Sequence, residues 1–152
     1  MVLATGTQIP DFKLQDEHGK WLTRAGLKGM RYILFYFSEA DTDVCTAQAC
    51  NFGDNYDYWK KQGYEVYSIS PDTPEALKKF KAKYKFKYHL LSDPDYSFMK
   101  KCKAWGDKLW FGKTVTGLHR NIYAIDESGK IIAAVERALS KKSTQQLQNA
   151  LG

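Results

Sequence analysis

Cys45 and Cys50 are the residues of this sequence with the clearest capacity for chemistry. They lie in the segment Ser38-Glu39-Ala40-Asp41-Thr42-Asp43-Val44-Cys45-Thr46-Ala47-Gln48-Ala49-Cys50, where an apolar run gives way to a polar turn and then to an amphipathic stretch. That order puts Cys45 in the first turn of a helix. Unpaired backbone N–H groups and the positive end of the helix macrodipole favour the thiolate there, and the thiolate is the nucleophile. Thr42, three residues earlier, can aim a hydroxyl into the same pocket. Two other readings compete. Both cysteines can be small apolar residues packed on a helix face, a reading that the helix-start position weakens without removing. A zinc site fits less well, because no second Cys/His pair stands at ligand spacing and His18, His89 and His119 are scattered.

The elements that must hold these thiols follow from periodicity. Phe12-Lys13-Leu14 and Lys20-Trp21-Leu22 flank Asp16-Glu17-His18-Gly19, which predicts an N-terminal hairpin with a polar turn. Arg31 to Phe37 is a β-branched and aromatic run without alternation, as in a central strand covered on both faces. From Asp43 to Gln62 a helix is expected, with Cys45, Ala49, Phe52, Tyr56 and Trp59 on one stripe and Gly63 as its stop. Tyr64 to Ser70 reads as a second strand. Thr73-Pro74-Glu75 opens another helix with a cap, a first-turn proline and an acid set against the dipole. His89 to Leu91 is a short extended piece and Asp95 to Lys103 a short helix. Asn121 to Ile125 and Lys130 to Glu136 pair across Asp126-Glu127-Ser128-Gly129, and a helix from Thr144 to Leu151 follows. This order matches an α/β, thioredoxin-like fold: a central mixed sheet flanked by helices, preceded by an N-terminal β-hairpin.

The chain has 152 residues, 43% apolar, 26% charged and 14% aromatic, which excludes disordered, collagenous and coiled-coil classes and suits one domain spanning 1–152. No repeat or linker divides it. The longest apolar run, Tyr32 to Phe37, is too short to cross a bilayer. Met1 to Gly6 shows no basic region followed by an apolar stretch, so a cytoplasmic protein is expected. Three cysteines are too few and too uneven for a disulfide scaffold, and Cys102 reads as a packing thiol. Twenty-three basic against seventeen acidic residues give +6, a weak preference for acidic partners. Lys78 to Lys87 mixes bases and aromatics, yet Leu77, Phe80 and Tyr84 share one helical face, which leaves the lysines as its solvated side. No nucleic-acid or membrane partner is expected.

The segment around Cys45 resembles the active-site region of peroxiredoxins, specifically the bacterioferritin comigratory protein or PrxQ type. The likeness extends in order through Asp54-Asn55-Tyr56, Gly63 to Asp72, Leu90 to Asp95, Trp105-Gly106, Gly112-Lys113-Thr114 and Gly117-Leu118-His119-Arg120 to Asp126. The resemblance implies a thiol peroxidase acting on hydrogen peroxide and organic hydroperoxides. In it Cys45 is the peroxidatic cysteine, with Thr42 and Arg120 completing the site. A permanently cationic guanidinium stabilises a thiolate and polarises a peroxide. The resemblance also makes Cys50 the resolving cysteine of an intramolecular disulfide, recycled by thioredoxin or a similar dithiol. It implies no metal or organic cofactor and suits a monomer. Five helical residues separate two Cα atoms by roughly 8.5 Å, beyond the limit of about 7 Å for a bridge, so the helix opening is expected to unwind during turnover. Ser38 stands where the family pattern Pro-x-x-x-Thr-x-x-Cys has proline, which loosens the pocket wall. Asp43-Val44 replace the common Pro-Gly pair, and the Asp43 carboxylate either opposes the thiolate or points to solvent. A redox sensor or basic binding module on the same fold is the alternative. A disulfide reductase is disfavoured by the lack of a Cys-x-x-Cys pair.

Overall fold

The computed structural model describes residues 2–152. Along the chain run β1 (Lys13–Gln15), β2 (Trp21–Thr23), β3 (Arg31–Tyr36), α1 (Asp43–Asp54), α2 (Tyr56–Lys61), β4 (Tyr64–Ser70), α3 (Pro74–Tyr84) and β5 (His89–Ser92). They are followed by α4 (Ser97–Lys101), β6 (Trp105–Trp110), β7 (Lys113–Leu118), β8 (Ile122–Ile125), β9 (Ile131–Val135) and α5 (Ser143–Leu151). Seven strands form one sheet in the order β2-β1-β5-β4-β3-β8-β9. β3, β4 and β5 are parallel neighbours, while β8 and β9 run antiparallel on the far side of β3. The expected thioredoxin-like mixed sheet is therefore present, and the N-terminal hairpin extends its edge through Gln15 opposite Ser92.

β3 explains why the sheet is covered on both sides. Its side chains alternate in direction, and both sets are apolar. Ile33, Phe35 and Phe37 enter a cluster with Cys45, Ala49, Phe52, Trp59, Leu77, Phe80 and Leu147 from α1, α2, α3 and α5. Tyr32, Leu34 and Tyr36 enter a second cluster with Phe12, Leu14, Phe98, Met99 and Cys102. Phe35 stacks on Phe52 with centroids 4.4 Å apart, which seats α1 directly over the central strand. Truncating either ring costs about 3–5 kcal/mol.

The expected helix over 43–62 is two helices. Asn55, with φ −103° and ψ 10°, separates α1 from α2, and its side-chain amide donates to the Asn51 carbonyl at 2.7 Å. An amide side chain that competes for backbone acceptors suits a break better than a helix interior. Gly53 just before it permits a close approach, since a Cβ there would lie 3.1 Å from the Phe86 ring and the ring would have to give way. The apolar stripe survives the break, with Cys45, Ala49, Phe52 and Trp59 all buried. α3 begins as its sequence dictates, the Thr73 side chain accepting from the Ala76 N–H at 3.2 Å. The helix expected over 95–103 contracts to Ser97–Lys101.

The periodicity gave no warning of β6 and β7, which make a separate two-stranded antiparallel ribbon outside the main sheet. Both strands carry a glycine and are mostly exposed or half-exposed, so no buried face imposes an apolar alternation. Trp110 opposes Lys113 across the two-residue loop Phe111-Gly112, both at positive φ (49° and 77°). Such loops usually carry Asn-Gly or Asp-Gly, and phenylalanine in that place conceals the turn.

Candidate active site

Thr42 is extended (φ −84°, ψ 153°) and forms the N-cap of α1, so Cys45 lies in the first turn as expected. The loop before it is tied down from two sides. The Ala40 N–H donates to Asp72 at 2.9 Å, and Asp72 also accepts from the Ser70 hydroxyl at the end of β4. Asp41, at φ 64°, pairs with Lys83 at 2.6 Å and accepts from the Tyr84 hydroxyl at 2.8 Å. These contacts fix where the helix starts, and so where the sulfur stands.

Cys45 is 1% exposed. One side of it belongs to the apolar cluster under α1, and the other meets polar groups. The Arg120 guanidinium donates from Nη2 to Cys45 Sγ at 3.3 Å, and from Nη1 to Gln48 Oε1 at 3.0 Å. The Ser38 hydroxyl is 3.7 Å from Sγ. Burial alone would raise the thiol's pKa. It is outweighed by the Thr42 hydroxyl, the Arg120 guanidinium and the Ser38 and Glu39 backbone, which together lower it from 9.0 to about 7. The Thr42 hydroxyl donates to the Glu39 carbonyl at 3.1 Å in this structure. It has one proton, so serving the sulfur requires it to turn from that carbonyl. The structure thus brings Thr42, Cys45 and Arg120, the three residues named by the resemblance, within one site.

Cys50 is on the same unbroken helix, about 140° further round the axis, and is half-buried. Burial, then the nearby Asp54 carboxylate, raises its pKa. All three cysteines are free thiols. The remainder of α1 is anchored: Tyr88 donates its hydroxyl proton to the Ala49 carbonyl at 2.7 Å, and Asn51 bonds the Lys141 carbonyl and the Thr144 N–H at 3.0 and 2.9 Å. Asp43 is exposed at the helix start.

Two polar partners were not anticipated. Gln48 is fully buried, accepts from Arg120 and donates to Ser143 Oγ at 3.3 Å. It holds the guanidinium against the sulfur, and its signal was a polar residue three positions after Cys45 on an otherwise apolar face. Ser38, expected only to loosen the pocket wall, instead puts a hydroxyl beside the sulfur. Elsewhere Asp16, Glu17 and His89 place ligand atoms within 4.8 Å of one another. Lys81 already pairs with Glu17 at 2.6 Å and His89 bonds the same carboxylate at 2.8 Å, so that cluster is balanced by its own cation.

The site thus sets a guanidinium and a helix start on one thiol, an arrangement that favours the nucleophilic thiolate. The AhpC/TSA family profile matches residues 5–134. The chain belongs to the AhpC/TSA family of peroxiredoxins. Peroxiredoxin Bcp of Escherichia coli K12 is 39% identical over 129 residues, covering 85% of this chain and 83% of that one. A putative peroxiredoxin of Mycobacterium tuberculosis H37Rv is 39% identical over 132 residues, covering 87% and 84%. Among solved structures, Xanthomonas campestris peroxiredoxin Q superposes with a TM-score of 0.87 at 21% identity, over 97% of this chain and 96% of that chain. Like other peroxiredoxins, the chain is an oxidoreductase of the thiol peroxidase class, with a peroxide as substrate and a thiol as reductant. Among the described residues no helix is long and apolar enough to cross a membrane.

Proposed function

We propose that this peroxiredoxin, a single domain over residues 1–152, reduces hydrogen peroxide and organic hydroperoxides through Cys45. The observation that carries the reading is the 3.3 Å approach of the Arg120 guanidinium to the Cys45 sulfur at the start of α1. The Cys45 thiolate attacks the terminal peroxide oxygen. The S–O bond forms as the O–O bond breaks, and the departing alkoxide or hydroxide takes a proton to leave as alcohol or water. Cys45 is then a sulfenic acid. Arg120 and Thr42 hold the two oxygens in line and stabilise the charge that moves onto the leaving one. The half-exposed side chains of Ser38, Thr42 and Arg120 frame the approach of a small peroxide to a sulfur with almost no free surface.

Cys50 then attacks the sulfenic sulfur, water leaves, and a Cys45–Cys50 disulfide remains. Thioredoxin or a similar dithiol reduces it in two thiol–disulfide exchanges. On an intact α1 the two Cα atoms stay roughly 8.5 Å apart, so residues 43–52 must open. Opening releases the Arg120–Gln48, Tyr88–Ala49 and Asn51–Thr144 bonds. Resolution inside one chain needs no second copy, so a monomer in the cytoplasm, without cofactor or nucleic-acid partner, suffices.

Peroxide consumption coupled to thioredoxin and its reductase tests this. The native chain turns over repeatedly. Cys45→Ser consumes none, and Cys50→Ser consumes one equivalent and leaves a sulfenic acid that dimedone traps. Full turnover by Cys45→Ser contradicts the reading. Hydrogen exchange of residues 43–52 tests the opening: faster exchange in the disulfide form supports it, and equal exchange in both forms rejects it.

A further inference from the structure

The apex of the β6–β7 ribbon carries none of the residues assigned above to peroxide chemistry. Leu109, Trp110 and Phe111 are 78%, 60% and 90% exposed, three consecutive large apolar side chains turned to solvent. The Trp110 and Phe111 rings contact each other edge to face, with centroids 4.9 Å apart, and neither joins an apolar cluster of the described residues. Phe111 is held at φ 49°, a conformation that L side chains resist. The fold therefore keeps an aromatic ring where a glycine or asparagine would relieve the backbone, and gains no core contact in return.

The charge around this ribbon is one-sided. Residues 100–120 contain Lys100, Lys101, Lys103, Lys108, Lys113 and Arg120 against the single acid Asp107. Arg120 is engaged with Cys45 and Gln48, which leaves five lysines against one acid in this stretch, and Glu136 and Arg137 line the cleft beside it. Lys113 stands directly across from Trp110 in the ribbon register, so a cation sits beside the aromatic apex.

We propose that this apex is a membrane-docking element, which inserts Leu109, Trp110 and Phe111 into the interfacial layer of an anionic lipid surface while the flanking lysines face the headgroups. Three side chains on a convex tip offer far less than the roughly 800 Å² per partner of a stable protein interface. A continuous apolar medium, in contrast, accepts a convex tip without shape complementarity. Tryptophan and lysine are the side chains that suit that boundary, with an apolar body and a polar end, and the lysines supply attraction to anionic headgroups. The sequence-based expectation of no membrane partner considered only spanning segments, and this ribbon was not legible from periodicity. A cleft lined by Asp107, Lys108, Leu109, His119, Arg120 and Glu136 runs from the ribbon to the guanidinium beside Cys45, so docking would present that cleft near the lipid surface. Docking itself does not depend on the peroxidase reading.

Cosedimentation of the full chain with vesicles tests the proposal, using equal parts phosphatidylcholine and phosphatidylglycerol against phosphatidylcholine alone. The native chain is expected to bind the anionic vesicles, to release them as salt rises, and to show a blue-shifted tryptophan emission that Trp110→Ala removes. Phe111→Glu is expected to weaken binding about tenfold or more with circular dichroism and peroxide consumption unchanged. Phe111→Gly, which relieves the backbone, gives the same loss if the ring is what inserts. Failure to bind anionic vesicles at low salt overturns the proposal. So does binding that is indifferent to Phe111→Glu and Phe111→Gly, which would assign it to charge alone. Self-association abolished by Phe111→Glu, without vesicle binding, would make the apex a contact between copies and equally overturn it. Full peroxide turnover by Cys45→Ser, with vesicle binding intact, would leave the docking proposal standing and reject the Cys45 mechanism.

Discussion

Cys45 and Cys102 are equally sealed from solvent, at 1% and 0% exposure, and their chemistry diverges. Burial pushes the Cys102 thiol up to about 12, with Asp93 adding in the same direction. Burial raises the Cys45 thiol too, but it is overcome by Thr42, Arg120 and the Ser38 and Glu39 backbone, and the thiol falls to about 7. Cys102 caps the short α4 on one face of the sheet, among Phe98, Met99 and Tyr36. Cys45 opens the twelve-residue α1 on the other, where a cation from the β7–β8 connection reaches it. Desolvation by itself makes a thiol inert. Desolvation with the Arg120 donor in place, and with Thr42 able to turn from the Glu39 carbonyl to the sulfur, brings the thiol's ionisation to neutral pH.

The largest test of that contrast is removal of the cation. Arg120→Met should lower kcat/KM by about a hundredfold to a thousandfold, the usual cost of one charge-stabilising donor, and move the Cys45 titration upward. Next comes Gln48→Ala, which leaves every group on the sulfur in place but frees the guanidinium. About a tenfold loss in kcat/KM is expected, since a small misplacement of a positioned group is costly. Stopped-flow peroxide reduction and the alkylation pH profile of each variant check both. Ser38→Ala should cost about fivefold, the equivalent of one neutral hydrogen bond of about 1 kcal/mol, with a smaller upward movement of the same profile. At the other thiol, Cys102→Ala should leave kcat/KM unchanged and cost roughly 1–2 kcal/mol of unfolding free energy, read by denaturant titration. A loss of activity there would erase the distinction between the two sites.

The sequence made much of this visible, and the reasons are local. The strand over 31–37, the capped helix opening at Thr73 and the position of Cys45 in a first turn all rest on short-range patterns. Arg120, 75 residues from Cys45, was reachable only through the family likeness, because no local rule pairs distant residues. Gln48 was missed because its partner is that same distant arginine. The break at Asn55 was hidden by an apolar stripe that continues across it, and the β6–β7 ribbon by strands with no buried face to enforce alternation. Tertiary pairing therefore carries what periodicity cannot.

The pH dependence of Cys45 itself is the most direct check. In the Cys50→Ser variant, the rate of iodoacetamide alkylation at residue 45, followed by mass spectrometry from pH 5 to 10, reports the thiolate fraction. A thiol whose folded pKa is depressed gains charge as pH rises, so the rate should climb through a midpoint of about 7 and level off above it, while Cys102 stays unlabelled until the chain is unfolded. A midpoint at or above the ordinary 9.0, or Cys102 reacting as readily as Cys45, would contradict it.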